Sequence, residues 1–518
     1  MAEPDLNSHL NSRVKPPEFD DLQGLLRFGH GRLTETGFML LRVIDAEAAK
    51  RWLARAPVTD ASSRTPPPDT ALQVAFSVEG LRVLGVGERV IEGFSDEFIV
   101  GMAGDESRSR RLGDTGDSAP AYWEWGGNPD RTPHLLLLLY AAPGSLEDWR
   151  TSLEDENFRA AFELQSILPT RHLGRIEPFG FVDGVSQPRI DWAQQQSTDP
   201  HDRDRYSNEV AVGEVVLGYA NEYGLYTARP LIDPVQDGPA EGLPDAEDSP
   251  DRKDFGRNGC YLVLRQLHQD VPGFWQFTDR QSGSDPERRD RLAAAMVGRR
   301  RDGTPLVPLS DKEIPGIAAG AKDNRFTYES DPDGHRCPFG AHIRRANPRT
   351  GDFPPGVNGL LSRLIKALGF KQRRPDEDLM ASTRFHRLLR RGRPYGPLLT
   401  PEEAVKPDPP QAERGLQFIC LVANISRQFE FVQNTWSMSS KFNGMQQESD
   451  PLLGRREPLI NGEPTDRFNH PDPTGPARST CDLPQFVTVR GGGYFFMPGL
   501  RALKYIADPP SGSGEEAS

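Results

Sequence analysis

Three short segments carry residue types that could do chemistry, and the first is Glu-Pro-Phe-Gly-Phe-Val-Asp-Gly-Val-Ser-Gln-Pro, residues 177–188. Its Asp183 lies directly before a glycine. Because glycine permits tight turns and close approach to a planar group, this aspartate can present its carboxylate to a cavity. Asp-Gly is also a common turn pair, and by itself the segment favours a simple turn.

The second segment, Cys337 to Arg349, contains His342 within Ala-His-Ile-Arg-Arg-Ala-Asn-Pro-Arg. A neutral imidazole can bind haem iron through one ring nitrogen while the other donates a hydrogen bond to a carboxylate or a carbonyl. An isolated histidine is more often structural. The third segment, Phe385 to Gly396, contains Leu-Leu-Arg-Arg-Gly-Arg-Pro-Tyr-Gly, and an arginine-rich run of this kind is usually a solvated surface.

Taken together and in this order, the three segments resemble the dye-decolorizing peroxidase family. The resemblance spans nearly the whole chain, because Gly80 to Val86, Arg414 to Cys420 and Arg490 to Phe495 also resemble segments of that family. It implies an α+β fold of two ferredoxin-like halves, of the dimeric α+β barrel type, with antiparallel sheets and the haem held in the C-terminal half.

The resemblance also implies a role for individual residues. His342 corresponds to the ligand of the iron, Asp183 to the acid-base aspartate and Arg390 to the arginine beside it. The implied haem contacts and pocket-shaping residues are Gly184, Val185, Ser186, Asn347, Pro348, Arg349, Arg390, Leu416 and Phe418. Arg349 is expected to meet a haem propionate. The acid behind His342 is either Asp450 or Glu448.

The implied function is that of a haem peroxidase, with haem b as cofactor. Such an enzyme reduces hydrogen peroxide and oxidises dyes, phenols or other aromatic donors in one-electron steps. The alternative is a haem-binding or haem-carrier protein with little turnover, but storage would need neither Asp183 nor Arg390. Similar proteins pass electrons through a surface Tyr or Trp, and Tyr395, Trp436 and Tyr494 are candidates unless they are core aromatics.

Two stretches of the chain begin alike, which indicates an internal duplication. A strand at Phe38 to Val43 precedes a helix capped by Asp45, and a strand at Tyr261 to Arg265 precedes a helix near Asp270. Later in each half, a strand again precedes a helix: His134 to Tyr140 before a Ser145-capped helix, and Leu416 to Ala423 before a helix around Phe429 to Trp436. This order predicts an antiparallel sheet with helices on one face.

The predicted domain organisation follows this duplication. We expect a flexible segment at 1–20, an N-terminal ferredoxin-like lobe at 21–232, a linker or insertion at 233–255, a C-terminal ferredoxin-like haem-binding lobe at 256–508 and a disordered tail at 509–518. Long loops, above all the one between Arg349 and Ser382, are expected to narrow the haem channel or to contact another subunit of a homo-oligomer.

Composition limits the partners. The 518 residues carry a net charge of −13, which disfavours nucleic acid or an anionic membrane and favours small molecules. The longest apolar stretch, Leu135 to Ala142, is far short of the roughly 20 residues that a membrane span needs. The N-terminal sequence shows no export signal, which predicts a cytoplasmic protein. The four scattered cysteines predict free buried thiols.

Overall fold

The computed structural model describes residues 16–196, 206–318, 322–350, 382–456, 464–472 and 475–508. The predicted tail at 509–518, most of the predicted N-terminal segment and nearly all of the long loop before Ser382 lie outside these residues. The predicted domain boundaries stay a prediction.

The strands of the described residues are distributed over the whole chain. They are β1 (Glu35–Val43), β2 (Thr70–Phe76), β3 (Leu135–Ala141), β4 (Phe162–Leu168), β5 (Arg189–Ile190), β6 (Glu209–Val210), β7 (Leu231–Ile232), β8 (Asp245–Ala246), β9 (Ser249–Asp254), β10 (Cys260–Gln269), β11 (Leu389–Arg390), β12 (Arg393–Tyr395), β13 (Gly415–Val422), β14 (Phe468–His470), β15 (Arg478–Thr480) and β16 (Val487–Met497).

Nine of these strands form one antiparallel sheet in the order β11, β13, β10, β16, β2, β3, β1, β4, with β12 also paired to β13. The two halves of the sheet have the same arrangement of strands. The order in the first half is β2, β3, β1, β4. In the second half, β11 and β12 together occupy the position of β2, and β13, β10 and β16 occupy those of β3, β1 and β4. This is the strand order of a ferredoxin-like unit. The halves join where Phe496 of β16 pairs with Phe76 of β2. The predicted α+β fold with two such halves is therefore confirmed, and in the described residues the sheet is open.

The helices include both of the predicted Asp-capped ones. The α-helices are α1 (Leu25–Phe28), α2 (Ala46–Leu53), α3 (Val78–Val83), α4 (Glu88–Ile91), α5 (Asp96–Val100), α6 (Glu106–Leu112), α7 (Leu146–Leu153), α8 (Glu156–Ala161), α9 (Val271–Gln281), α10 (Pro286–Val297), α11 (His342–Ala346), α12 (Pro401–Ala404) and α13 (Leu500–Ala507). The Asp45 carboxylate accepts a hydrogen bond from Ala48 N in α2, and that of Asp270 accepts one from Gly273 N in α9.

Two predicted helices differ in detail. Ser145 precedes α7, but its side chain makes no capping hydrogen bond. The Glu35 carboxylate accepts hydrogen bonds from Gly144 N and Leu146 N instead, and a residue this distant in sequence gives no local signal. The predicted helix around Phe429 to Trp436 is present as two π-helical segments, Ser426–Glu430 and Val432–Met438.

The central sheet is buried on both faces. In β3, Leu135, Leu137 and Leu139 pack into a core that includes α2 and α8. Leu136 and Leu138 pack on the opposite face, which α1 and the segment Val210 to Tyr219 cover. The expectation of a sheet covered by helices on one face was therefore incomplete. An uninterrupted leucine run is typical of a strand buried on both sides.

Two further expectations from composition can be compared with the structure. All four cysteines are free, and Cys260, Cys337 and Cys420 are buried as expected, whereas Cys481 is exposed. Within the described ranges, no helix combines the length and the apolar character needed to cross a membrane.

Candidate active site

One cavity between the 177–188 segment, α11, β11 and β13 brings together most of the predicted site residues. Those that line it are Asp183, Val185, Ser186, His342, Asn347, Arg349, Arg390, Leu416 and Phe418. The other two predicted residues, Gly184 and Pro348, are their chain neighbours but do not line it. Three segments that are far apart in sequence thus form one site.

His342 is the first residue of α11 and is held by a buried acid. Its Nδ1 lies 2.8 Å from Asp450 Oδ2, which leaves Nε2 as the nitrogen available to a metal. The other oxygen of Asp450 accepts hydrogen bonds from Leu452 N and Leu453 N at 2.9 and 3.0 Å. Glu448 instead accepts a hydrogen bond from Asn469. Of the two acids left open by the sequence, Asp450 is therefore the partner of His342.

The pKa values of this pair shift in opposite directions. Burial would raise the pKa of Asp450, but the charge and hydrogen bond of His342 outweigh it and hold that pKa below its usual value. Burial would lower the pKa of His342, and Asp450 raises it above the usual value. The pair therefore keeps a proton on Nδ1, which fixes the orientation and tautomer of the ring.

Two buried arginines hold the helix that carries His342. Arg344 donates hydrogen bonds to Asp331 Oδ2 at 3.0 Å and to the carbonyl of Cys337 at 2.6 Å. Arg345 donates to the carbonyls of Trp436 and Glu448 at 2.8 and 2.6 Å. Sequence reasoning assigned these arginines no role, because nothing local distinguishes a buried arginine from a solvated one.

Across the cavity, Asp183 and Arg390 form an ion pair. The Asp183 Oδ1 lies 3.2 Å from Arg390 Nη1 and accepts a hydrogen bond from Gly184 N at 2.6 Å. Burial would raise the pKa of Asp183, but Arg390, the Gly184 N–H and His342 together bring it below the usual value. Asp183 is therefore held as a carboxylate, the form needed in a general base.

The two adjacent arginines of the third segment point to different surroundings. Arg390 is held by its backbone N–H, which donates to Gln187 Oε1 at 3.0 Å, and its side chain lines the cavity. Arg391 donates instead to the carbonyls of Leu25 and Leu26 in α1. Of the two arginines, Arg390 is therefore the one that pairs with Asp183.

A third side of the cavity is rich in buried positive charge. Arg299, Arg349 and Arg387 line it and are almost fully buried. Among the described residues, no carboxylate lies within ion-pair distance of these three; they donate to neutral oxygens such as Asn324 O, Asp323 O and Asn208 Oδ1. Burial, followed by the charge of Arg349, lowers the pKa of Arg299 to about 10.

This charge distribution fits a haem group. Buried cations without counter-ions are costly, so the cluster of Arg299, Arg349 and Arg387 favours an anionic ligand such as the two haem propionates. Asn347 Oδ1 in the same wall is buried without a hydrogen-bond partner in the described residues. His342 supplies an imidazole to the same space. Arg299 and Arg387 were not predicted, since only tertiary structure brings them to Arg349.

The three aromatic residues proposed for electron transfer are all buried. Tyr395 donates a hydrogen bond to the Leu267 carbonyl and Tyr494 to Glu430, which favours a packing role for both. Trp436 and Tyr494 each pack edge-to-face on an aromatic ring that lines the cavity: Trp436 on His386, with 5.2 Å between the centroids, and Tyr494 on Phe429, with 6.2 Å. Of the three, Trp436 has the shortest aromatic route to the site.

Comparisons with known proteins show the family of the chain. A multifunctional dye peroxidase of an Amycolatopsis species is 30% identical over 452 residues, which cover 84% of this chain and 82% of that protein. The chain belongs to the dye-decolorizing peroxidase family. A dye-decolorizing peroxidase of the fungus Auricularia auricula-judae is 28% identical over 509 residues, or 93% of this chain and 86% of that protein. No family model matches the chain.

Solved structures of the family share the fold of this peroxidase. The structure of a fungal DyP-type peroxidase from Auricularia auricula-judae aligns with a TM-score of 0.69 at 25% identity and covers 95% of this chain and all of that one. A DyP-type peroxidase of Anabaena aligns with a TM-score of 0.66 at 24% identity, covering 94% of each chain. This protein is therefore a haem peroxidase that acts on hydrogen peroxide and a reducing substrate, and nothing favours the haem-carrier alternative.

Proposed function

We propose that this peroxidase binds haem b through His342 and reduces hydrogen peroxide with Asp183 as acid-base catalyst and Arg390 as its charged partner, while it oxidises dyes, phenols or other aromatic donors. The observation that carries the proposal is that one cavity has a carboxylate-supported imidazole on one side and an Asp–Arg ion pair on the other. A carrier would need only the first of these.

The residues proposed to hold the haem divide by chemistry. His342 supplies the nitrogen ligand, and Arg349, supported by Arg299 and Arg387, supplies positive charge for the propionates. Val185, Ser186, Asn347, Leu416 and Phe418 supply contacts around the group, and Gly184 and Pro348 support them as chain neighbours. When bound, haem would supply an iron centre that is oxidised by peroxide and is then reduced by the donors, one electron at a time.

The chain's own contribution to the peroxide step is proton transfer and charge stabilisation. Asp183, ionised at acidic pH because of Arg390, can take the proton from one peroxide oxygen and deliver it to the other. Arg390 keeps this base charged and stabilises the negative charge that develops on peroxide. Proton transfer of this kind contributes about 10²- to 10⁴-fold in rate.

An optical titration tests the proposal directly. We expect purified protein to show a Soret absorption band, and this band should change when one equivalent of peroxide is added. When an anthraquinone dye is then added, the dye should be bleached and the Soret band should return to its original position. A pyridine haemochrome spectrum should identify the porphyrin as that of haem b. Protein that binds haem but neither responds to peroxide nor bleaches the dye would support the carrier alternative instead.

Two finer proposals concern the setting of the enzyme. A homo-oligomer, predicted from the long loops, can be tested by light scattering of the purified protein. The cytoplasmic location stays a prediction from the sequence and can be tested by cell fractionation.

A further inference from the structure

Besides Asp183, a second carboxyl group lines the cavity from the same hairpin. This hairpin, residues 175–183, closes through hydrogen bonds from Glu177 N to the Phe181 carbonyl at 2.9 Å and from Asp183 N to the Arg175 carbonyl at 2.8 Å. Glu177 and Asp183 are thus six residues apart in sequence, but both line the same space. The mechanism above uses only Asp183.

The Glu177 carboxyl lies at the centre of the turn that supports Asp183. Its two oxygens accept hydrogen bonds from Phe179 N and Phe181 N, both at 3.0 Å, and from Gln269 Nε2 at 2.9 Å. The turn is also fixed to α9, because Phe179 packs on Phe274 and its carbonyl accepts a hydrogen bond from Trp275 Nε1. Glu177 therefore links the hairpin, β10 and the cavity.

The surroundings of Glu177 favour its neutral form at acidic pH. Burial raises the pKa of Glu177 to about 7 against the hydrogen bonds that lower it, and the negative charge of Asp183 adds to the increase. Gln269, which donates a hydrogen bond to Glu177, carries no positive charge that would stabilise the ionised carboxyl group. The neighbouring Asp270 is the N-cap of α9.

Besides Arg299, Arg349, Arg387 and His386 in the walls of the cavity, three positively charged or titratable side chains lie around the hairpin. Arg390 lies on the same side of the cavity as the hairpin and pairs with Asp183, whereas His342 lies on the opposite side and pairs with Asp450. Arg301 lies beside Gly180 in the turn, with its Nη1 3.7 Å from Asp290. Each of these three side chains therefore already has an acidic neighbour other than Glu177.

We propose that Glu177 is a positioning residue and a second proton-holding group of the peroxide pocket: it fixes the hairpin that presents Asp183, and its ionisation slows the reaction with peroxide. A second negative charge in this enclosed space opposes the charge that develops on peroxide and repels the Asp183 carboxylate. This inference rests on the proposed role of Asp183. It predicts that activity with peroxide falls as pH rises and Glu177 ionises.

The test compares the pH dependence of the second-order rate constant for peroxide between pH 5 and 9. In the natural protein, this constant should fall as pH rises through about 7. In Glu177→Gln, which has no ionisable group there, the fall at this pH should be absent. Glu177→Asp, which restores an ionisable group, should restore a fall. If Glu177→Gln keeps the same fall near pH 7, the inference is wrong.

Glu214 offers a matched control. Burial likewise raises its pKa to about 7, but it pairs with Arg427 and does not line the cavity. Glu214→Gln should therefore leave the pH dependence of the peroxide reaction unchanged. A pH dependence lost equally in Glu214→Gln would contradict the assignment, because it would indicate a general effect of removing a buried carboxyl.

A stability measurement tests the titration of Glu177 without relying on activity. Because folding raises the pKa of Glu177, its contribution to stability is present below the usual value and is lost as pH rises through about 7. In urea unfolding of the haem-loaded protein, the unfolding constant of the natural protein should increase from pH 5 to pH 8 by roughly 10- to 100-fold more than that of Glu177→Gln. An equal increase in both proteins would overturn the inference.

Asp183→Asn separates the two proposals. If this variant is inactive with peroxide and Glu177→Gln keeps the natural pH dependence, only the inference about Glu177 fails. If Asp183→Asn keeps full activity, the proposed function of Asp183 fails.

Discussion

The two sides of the cavity are built differently. On the His342 side, the supporting acid Asp450 is fully buried, and two buried arginines fix the helix that carries the imidazole. On the opposite side, the side chains of Asp183 and Arg390, which line the cavity, keep 44% and 33% of their surface accessible.

This difference indicates a division of tasks. A metal ligand must hold one orientation, and the enclosed hydrogen bonds around His342 and Asp450 allow little movement. A group that moves a proton to and from a small substrate must instead leave polar surface available to that substrate. The contrast between a closed ligand side and an open peroxide side can be tested by removing one group at a time.

The largest effect is expected from His342→Ala. Without the imidazole, the protein should lose most of its bound haem, and peroxidase activity should fall by more than about 100-fold, the upper range for loss of a mere supporting partner. The measurement is the ratio of Soret to protein absorbance together with dye bleaching. His268→Ala is the control, since His268 does not line the cavity. Unchanged haem content in His342→Ala would refute the ligand assignment.

Asp183→Asn should separate the two sides. We expect haem content to remain near the natural value, while the rate constant for peroxide falls by about 10²- to 10⁴-fold, because the base is lost and the ligand side is intact. Stopped-flow absorbance at acidic pH measures this rate. A loss of haem comparable to that in His342→Ala would mean that the two sides are not independent.

Arg390→Leu should act in the same direction as Asp183→Asn. Loss of its charge should reduce the peroxide rate by about 10²- to 10³-fold, as for other groups that stabilise developing negative charge. Arg391→Leu is the neighbouring control, because Arg391 binds carbonyls of α1 and should mainly affect stability. A larger rate loss in Arg391→Leu would move the assignment by one residue.

On the ligand side, Asp450→Asn should have a smaller effect than His342→Ala. The amide can still orient the ring but carries no charge, so we expect haem affinity or activity to fall about 10- to 100-fold. The reduction potential of the haem should rise, because His342 then donates less electron density. Glu448→Gln should leave the potential unchanged, since Glu448 makes no hydrogen bond to His342.

The smallest effect on peroxide itself is expected from Trp436→Phe. This change should slow the oxidation of bulky dyes and leave the peroxide rate unaltered, because Trp436 does not itself line the cavity but packs on His386, which does. Steady-state assays of the natural protein and of Trp436→Phe, each with a large anthraquinone dye and with a small phenol, measure this difference. Equal rates for the bulky dye in both proteins would exclude Trp436 as the route.

Several of these assignments were available from the sequence because local patterns encode them. The repeated strand and Asp-capped helix predicted the duplicated ferredoxin-like fold, since apolar periodicity and capping depend on residues close in the chain. The Asp-Gly turn, His342 and Arg390 were identified by their order along the chain and their resemblance to a family. Such local features can be recognised from the sequence alone.

Other features were decided only by the tertiary structure. The choice of Asp450 over Glu448 depends on which of two nearby acids reaches an imidazole more than a hundred residues away. The cluster of Arg299, Arg349 and Arg387 likewise depends on contacts between distant segments. Glu177 and Asp183 are close in sequence, but only the folded chain places both carboxyl groups in the lining of one cavity. Burial and distance set the charge and pKa of these groups, and a sequence specifies neither until the chain has folded.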